Sequence, residues 1–285
     1  MAFSDPVIVS CALTGVLADR RQNPDIPYTP AEIAAEAKRA WDEGATVVHI
    51  HARNDDGTPT WAPETFASIR AETEALCPVI LNFSTGSLDE ETSLQERTIR
   101  EVRPHVAALN MGSMNYAKYS PRRKDFVFDL IFPNPFGKIR RLLTAMNDAG
   151  VKPELECFDT GHTSSIEPLI DMGLLQLPLE FSFIMGVLGG LPSSVEALQL
   201  QAGLVPKGST WQVIGIGRDQ WRLVAAALVL GGNIRVGMED NFYLPDGEMA
   251  RSNGELVARA VRLTRDVGRR PATLDEARAI LGVRG

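Results

Sequence analysis

Short apolar runs rich in β-branched residues recur along this chain, separated by stretches whose apolar positions fall at helical spacing. The first run is residues 7–13, VIVSCAL. A helix follows, opened by Thr29 as N-cap with Pro30 in the first turn and Glu32 three residues on, a capping box, and it should stop near Gly44. The second run, 46–51 (TVVHIH), leads to a helix over 63–76 and a third run, 79–83 (VILNF). Ser93 with Glu96 opens the next helix, and 106–111 (VAALNM) is the fourth run. A long connection, 112–135, precedes a helix over 137–150, the fifth run 154–158 (ELECF) and a helix over 165–172. The last three runs are 179–185, 210–216 and 233–238, alternating with helices over 193–204, 219–230 and 252–267. Thr273 with Glu276 caps a short terminal helix.

Eight strands alternating with eight helices, at roughly 30 residues per unit, predict an α/β fold of the (β/α)8 TIM-barrel type. A doubly wound open sheet is the alternative, but it rarely needs eight regular units. No Gly/Ser linker or close repeat interrupts the pattern, so residues 1–285 read as a single barrel with a short C-terminal helical extension.

In a barrel strand alternate residues face the helices and the interior, and the helix-facing set should be apolar. That rule turns Val48 and Ile50 outward and His49 and His51 inward. It leaves Glu156 and Phe158 inside the fifth strand, and Arg235, Gly237 and Glu239 inside the eighth. Ser10, Ala12 and Thr14 point inward on the first strand, Asn82 and Ser84 on the third, Asn110 on the fourth and Ser182 on the sixth. Barrel interiors are normally filled by bulky branched side chains. Charges buried without partners cost several kcal/mol, so an inward set of two histidines, two carboxylates and an arginine at the C-terminal strand ends marks an active site.

Histidines at i and i+2 on one strand reach one cation together, and Glu239 is the best third ligand because the second and eighth strands both flank the first. Two His and one carboxylate with an open position is the pattern of catalytic Zn²⁺ or sometimes Fe²⁺. Barrel metallohydrolases place such a pair on the first strand and add later histidines. Here only His105, at the opposite end of its strand, and His162, on the correct rim, remain. His162 is expected to be a rim hydrogen bonder or a fourth ligand. Arg235 can clamp a carboxylate or hold Asp240, and Asp240 and Glu156 are the available bases. Ser84 and Ser113 offer hydroxyls. Gly215, Gly217 and Arg218 in GIGRD suit a phosphate-bearing ligand at a late loop.

Composition narrows the partners. With 44% hydrophobic and 23% charged residues the chain is ordinary soluble globular material. A net charge of −7 without a basic run argues against nucleic acid. No stretch approaches about 18 uninterrupted apolar residues and no signal pattern opens the chain, so no membrane partner and a cytoplasmic location are expected. Cys11, Cys77 and Cys157 form no CxxC and read as buried hydrophobes. Neither GxGxxG after a first strand nor GxxxxGK[ST] is present, which disfavours NAD and ATP.

The segments ALTG (12–15), PYTPAEIAAEAKRAWDEGATVVHIHARNDDGTPT (27–60), NFSTG (82–86), LNMGSMN (109–115), PELECFDTGH (153–162), GIGRDQ (215–220) and GGNIRVGMEDN (231–241) resemble the β-keto acid cleavage enzyme family across almost the whole chain. The resemblance implies a tetrameric (β/α)8 barrel holding Zn²⁺ through His49, His51 and Glu239. It implies that a β-keto acid plus acetyl-CoA yields acetoacetate plus a new acyl-CoA. The catalytic Arg–Asp pair falls on Arg235 and Asp240, the fifth-strand glutamate on Glu156, and hydroxyls on Ser84 and Ser113. Thr14, Leu17, Asn82, Thr85 and Asn110 are the expected substrate contacts. Asp240 or Glu156 is expected to form a carbanion from the acetyl methyl, which adds to a ketone polarised by zinc before retro-Claisen cleavage. One departure concerns specificity. Leu17 stands where the family's founding enzyme has a glutamate for the substrate amine, so a 5-amino substrate is not expected. A metal-dependent aldolase or hydrolase acting without CoA is the alternative activity, and a non-catalytic ligand-binding barrel a third.

Overall fold

The computed structural model describes residues 5–284. Its parallel strands are β1 (Val9–Ala12), β2 (Val47–Ile50), β3 (Ile80–Phe83), β4 (Val106–Asn110), β5 (Lys152–Cys157), β6 (Glu180–Met185), β7 (Thr210–Gly215) and β8 (Asn233–Val236). They pair in chain order and β8 pairs with β1, which closes the barrel expected from the sequence. Closure leaves no edge strand in this sheet.

Helices α1 (Pro30–Asp42), α2 (Pro63–Leu76), α3 (Ser93–Val102) and α4 (Phe136–Ala149) follow the first four strands. Apolar spacing decides which face of α1 meets the barrel: Ile33, Ala37 and Ala40 are buried. The Thr29–Glu32 capping box forms as expected. The start of α3 differs from the expectation, because Thr92 rather than Ser93 is its N-cap and the Thr92 hydroxyl donates to Glu96 Oε1 at 2.7 Å.

Two further departures lie at the C-terminal mouth. The connection after β4 is a long β-hairpin, Met114–Ser120 paired antiparallel with Asp125–Phe132 and tied to the sixth loop by Ala117 N–H donating to Leu188 O. After β5, an additional short helix, α5 (Thr160–Ser164), capped by Asp159, precedes the helix expected over 165–172, which forms as α6 (Glu167–Asp171) and carries Pro168 in its first turn. Helices α7 (Val195–Gly203), α8 (Gln220–Leu230) and α9 (Asn253–Asp266) complete the ring.

The terminal helix α10 (Leu274–Leu281) has a structural job. Ile8, Val47, Ile80 and Val106, inward at the N-terminal strand ends, cluster with Ala272, Ala277 and Leu281. Thus α10, fixed by its own Thr273–Glu276 capping box, plugs the bottom of the barrel. Above this apolar layer the interior turns polar, and a ligand-sized cavity opens at the other end. Cys11, Cys77 and Cys157 are buried and unpaired. Among the described residues no helix is long and apolar enough to cross a membrane.

Truncating Leu281 to Ala leaves a void in the plug and should destabilise the fold by about 2–4 kcal/mol. Urea unfolding followed by circular dichroism measures this. An unchanged midpoint would show that α10 does not seal the barrel.

Candidate active site

Strand parity delivers the first two candidate donors. His49 and His51 leave β2 on the same face, with ring centroids 5.1 Å apart. Their Nε2 atoms lie 3.7 and 3.4 Å from one atom, Glu239 Oε1. Glu239 is not on a strand. β8 ends at Val236, and Gly237 then adopts φ +138°, where a Cβ would meet Ala12 O at 2.1 Å. That glycine lets the chain fold flat against β1 and turn, with Glu239 N–H donating to Ala12 O and Asp240 N–H to Gly237 O. The turn brings both Glu239 and Asp240 over the mouth, which alternation along a continued strand would not do.

Arg235 ties the carboxylates together. Its Nε and Nη2 donate to the two oxygens of Asp240, both at 2.9 Å, and Nη2 also reaches Glu239 Oε1 at 2.7 Å. Nη1 faces Glu156 Oε1 at 3.5 Å. Burial disfavours the Arg235 charge, but the surrounding carboxylates outweigh it and hold the guanidinium well above its ordinary range. Burial and the nearby Glu154 push Glu156 up to about 8. Burial, opposed by Arg235, leaves Asp240 at about 6. Glu239 is also buried, yet its neighbours, the His51 ring and the Arg235 guanidinium foremost, hold its carboxyl well below the usual carboxylate range. Burial and the Arg235 charge keep His49 neutral, the form that offers a lone pair.

The donor set fits a divalent ion. One ligand atom from each of His49, His51 and Glu239 lies within 4.8 Å of the others. Glu239 Oε2 is buried with no hydrogen-bond partner, an expensive state unless something electropositive meets it. Imidazole and carboxylate in this ratio suit Zn²⁺ or Fe²⁺.

The charged floor opens into a cavity of about 410 Å³. Of the residues expected from the sequence to meet ligands, Leu17, His51, Ser84, Asn110, Glu156, Arg235, Glu239 and Asp240 line it. Others are engaged elsewhere. The Thr14 hydroxyl donates to His51 O, the Thr85 hydroxyl to Ala108 O, and Ser113 Oγ accepts from Asn134 N–H. Asn82 Nδ2 donates to Glu154. The space a Cβ at Gly215 would need is filled by Gln220 Cα, 2.5 Å away. Gly217 donates its N–H to Asp240 O, and Arg218 lies 4.1 Å over the Tyr243 ring on the rim. His162 is a rim hydrogen bonder: its Nδ1 accepts from Phe158 N–H and its ring fills the space beside Gly112.

Sequence reasoning missed four contributions. Arg53, two residues beyond His51, is buried and donates to Gly15 O, Ala18 O and Gly57 O, so it clamps the first loop that carries Leu17. Its place in HIHAR was the available signal. Glu154 and Gln212 are inward by the same parity that placed Glu156 and Ser182, but were not read. Tyr116, Leu130 and Phe132 of the hairpin wall the cavity, within the segment 112–135 whose sequence pattern shows only a long connection.

Comparison with known proteins places this geometry. Residues 6–283 match the family model described as beta-keto acid cleavage enzyme. The chain is 39% identical to the 3-keto-5-aminohexanoate cleavage enzyme of Fusobacterium nucleatum, over 98% of this chain and 99% of that one. It is 33% identical to the 3-oxoadipate:acetyl-CoA acetyltransferase of Cupriavidus necator, over 99% and 96% of the two chains. Among solved structures, the ternary complex of ObcA with C4-CoA adduct and oxalate superposes with a TM-score of 0.74 at 20% identity, over 91% of this chain and 68% of that one, a likeness of fold. The chain belongs to the beta-keto acid cleavage enzyme family.

Proposed function

We propose that this enzyme is a metal-dependent acyltransferase that converts a β-keto acid and acetyl-CoA into acetoacetate and a new acyl-CoA. The observation that carries the reading is the convergence of His49, His51 and Glu239 beside the Arg235–Asp240 pair, on the floor of a cavity with apolar walls in the first three loops. The activities named for family relatives, a β-keto acid cleavage and an acetyl-CoA acetyltransfer, support it. His49, His51 and Glu239 would hold a divalent ion, Zn²⁺ in our reading, which would supply Lewis acidity to the β-keto acid.

Atom balance orders the steps. The acyl carbon R–CO must finish on CoA sulfur, and the CH2–COO⁻ unit must finish on the acetyl group. The new C–C bond therefore joins C2 of the β-keto acid to the thioester carbon. The order expected from the sequence, with the acetyl methyl adding to the ketone, leaves the acyl carbon bonded to two CH2 groups and releases no acetoacetate in one cleavage. In the balanced order a base removes a proton from C2, the carbanion attacks the thioester and CoA thiolate leaves. The thiolate then adds to the R–CO carbon, its bond to C2 breaks, and C2 regains the proton. Asp240 is the base: Arg235 grips both of its oxygens and holds it as an ion beside the cavity. Glu156 faces the same space from the other side of Arg235.

The wall formed by the first three loops presents Val16, Leu17, Pro59, Trp61 and Leu88, with Asp89 the one carboxylate. An uncharged apolar tail R fits it better than an ammonium. Arg218, exposed on the opposite rim near Ile216, suits the CoA phosphates. A homotetramer completes the reading, supported by exposed Phe126, Val127 and Ile131 on the hairpin, whose burial between copies would remove apolar surface from water.

Purified enzyme given acetyl-CoA and a panel of 3-oxo acids should release acetoacetate, fastest with uncharged alkyl tails and lost on adding a chelator. Acetyl-CoA carrying ¹³C in its methyl should give acetoacetate labelled only at C4. Label at C2 would refute the order of steps, and no acetoacetate from any panel member would refute the activity. In the same assay Asp240→Asn should lower kcat about 10²–10⁴-fold. A drop confined to KM would assign Asp240 to binding instead.

A further inference from the structure

Below the metal-facing rim, inside the barrel, a second carboxylate is buried that the proposed chemistry does not use. Glu154 on β5 is fully inaccessible. Side chains from three other strands donate to it: Asn82 Nδ2 from β3, Ser182 Oγ from β6 and Gln212 Nε2 from β7, the last at 2.6 Å. Gln212 Nε2 also donates to Ser182 Oγ at 2.9 Å, which directs that hydroxyl's hydrogen toward Glu154. Three donors from three strands converge on the acceptor oxygens of this one carboxyl group. A carboxyl group held this deep costs several kcal/mol before its hydrogen bonds are counted, so a packing role alone is served better by an apolar side chain.

What Glu154 controls is the amide of Asn82. A primary amide has one donor end and one acceptor end. With the NH2 end drawn to Glu154, the Oδ1 end must face away, because the reverse orientation would set two oxygens together. Asn82 is the residue registered directly across the sheet from His49. Asn82 Oδ1 and His49 Nδ1 are both buried, and neither has a hydrogen-bond partner, so two orphaned and complementary atoms sit on facing residues of neighbouring strands. On its other side His49 turns Nε2 toward Glu239. An imidazole that carries its hydrogen on Nδ1 presents a free lone pair on Nε2, the arrangement a metal ligand needs.

We infer that Glu154 is a positioning residue for the metal site: through Asn82 it fixes the ring orientation and tautomer of His49. The inference rests on the reading of His49, His51 and Glu239 as metal ligands. It extends that reading to a line of contacts running from β5 through β3 to β2, set by strand register. Glu154 does not touch substrate or metal and acts only through Asn82.

The test measures metal affinity rather than turnover. Chelator-stripped protein is titrated with Co²⁺ and Zn²⁺ against a competing chromophoric chelator, and the visible Co²⁺ bands report the ligand set. Glu154→Ala and Asn82→Ala should each weaken binding about 10–100-fold, the range typical for partners of ligating histidines. The double variant should be no weaker than the worse single one, since both act through one contact line. Glu154→Gln keeps the volume and one acceptor oxygen, and should fall between wild type and Glu154→Ala. If Glu154→Ala does not fold, Glu154→Gln decides alone, with a loss of at least about threefold in support. Wild-type affinity and Co²⁺ bands in folded Glu154 variants, or additive losses in the double variant, would overturn the inference while leaving the metal site intact. A wild-type protein that takes up neither ion would remove both.

Discussion

The burial of one guanidinium, Arg235, is the constraint on which the rest of the site depends. A charge this inaccessible is tolerable only if carboxylates surround it, and Asp240, Glu239 and Glu156 do so from three directions. The requirement is reciprocal, because removing one member of a buried ion pair costs about 3–5 kcal/mol by leaving its partner uncompensated. The sharp turn at Gly237 exists to bring two of these carboxylates back over the strand that carries the arginine. One group thus fixes a candidate metal ligand, a candidate base and the floor of the cavity in a single network.

The barrel supports that network by grading its interior. The N-terminal end is apolar and sealed by α10. The middle is polar, with side chains from three strands donating to Glu154, and the C-terminal end carries the charges and the open space. Water is kept out from below, which sharpens electrostatic interactions above. The loops then divide the labour: Arg53 secures the first loop at the apolar tail wall, and the hairpin after β4 supplies aromatic side chains opposite it.

Much of this was legible in the sequence because it follows from period-two alternation. His49, His51, Glu156 and Arg235 lie where outward-facing Val48, Ile50, Leu155, Cys157, Ile234 and Val236 require. Alternation could not reach Asp240, which depends on a glycine turn beyond the strand end. It did not reveal that the Thr14, Thr85 and Ser113 hydroxyls are spent on backbone groups, because hydroxyl partners are set by loops rather than by period. The hairpin escaped because Tyr116, Leu130 and Phe132 make their wall by pairing two segments across a turn, a non-local event. Glu154 was readable by the same parity as Glu156 and was overlooked.

The central claim is that His49, His51 and Glu239 hold one divalent ion. X-ray absorption at the zinc edge of the zinc-loaded enzyme tests it most directly. The account predicts two imidazole nitrogens and a carboxylate oxygen at about 2.0–2.2 Å, with one imidazole lost in His49→Ala. A shell containing sulfur at about 2.3 Å, or an imidazole count unchanged in that variant, would contradict it.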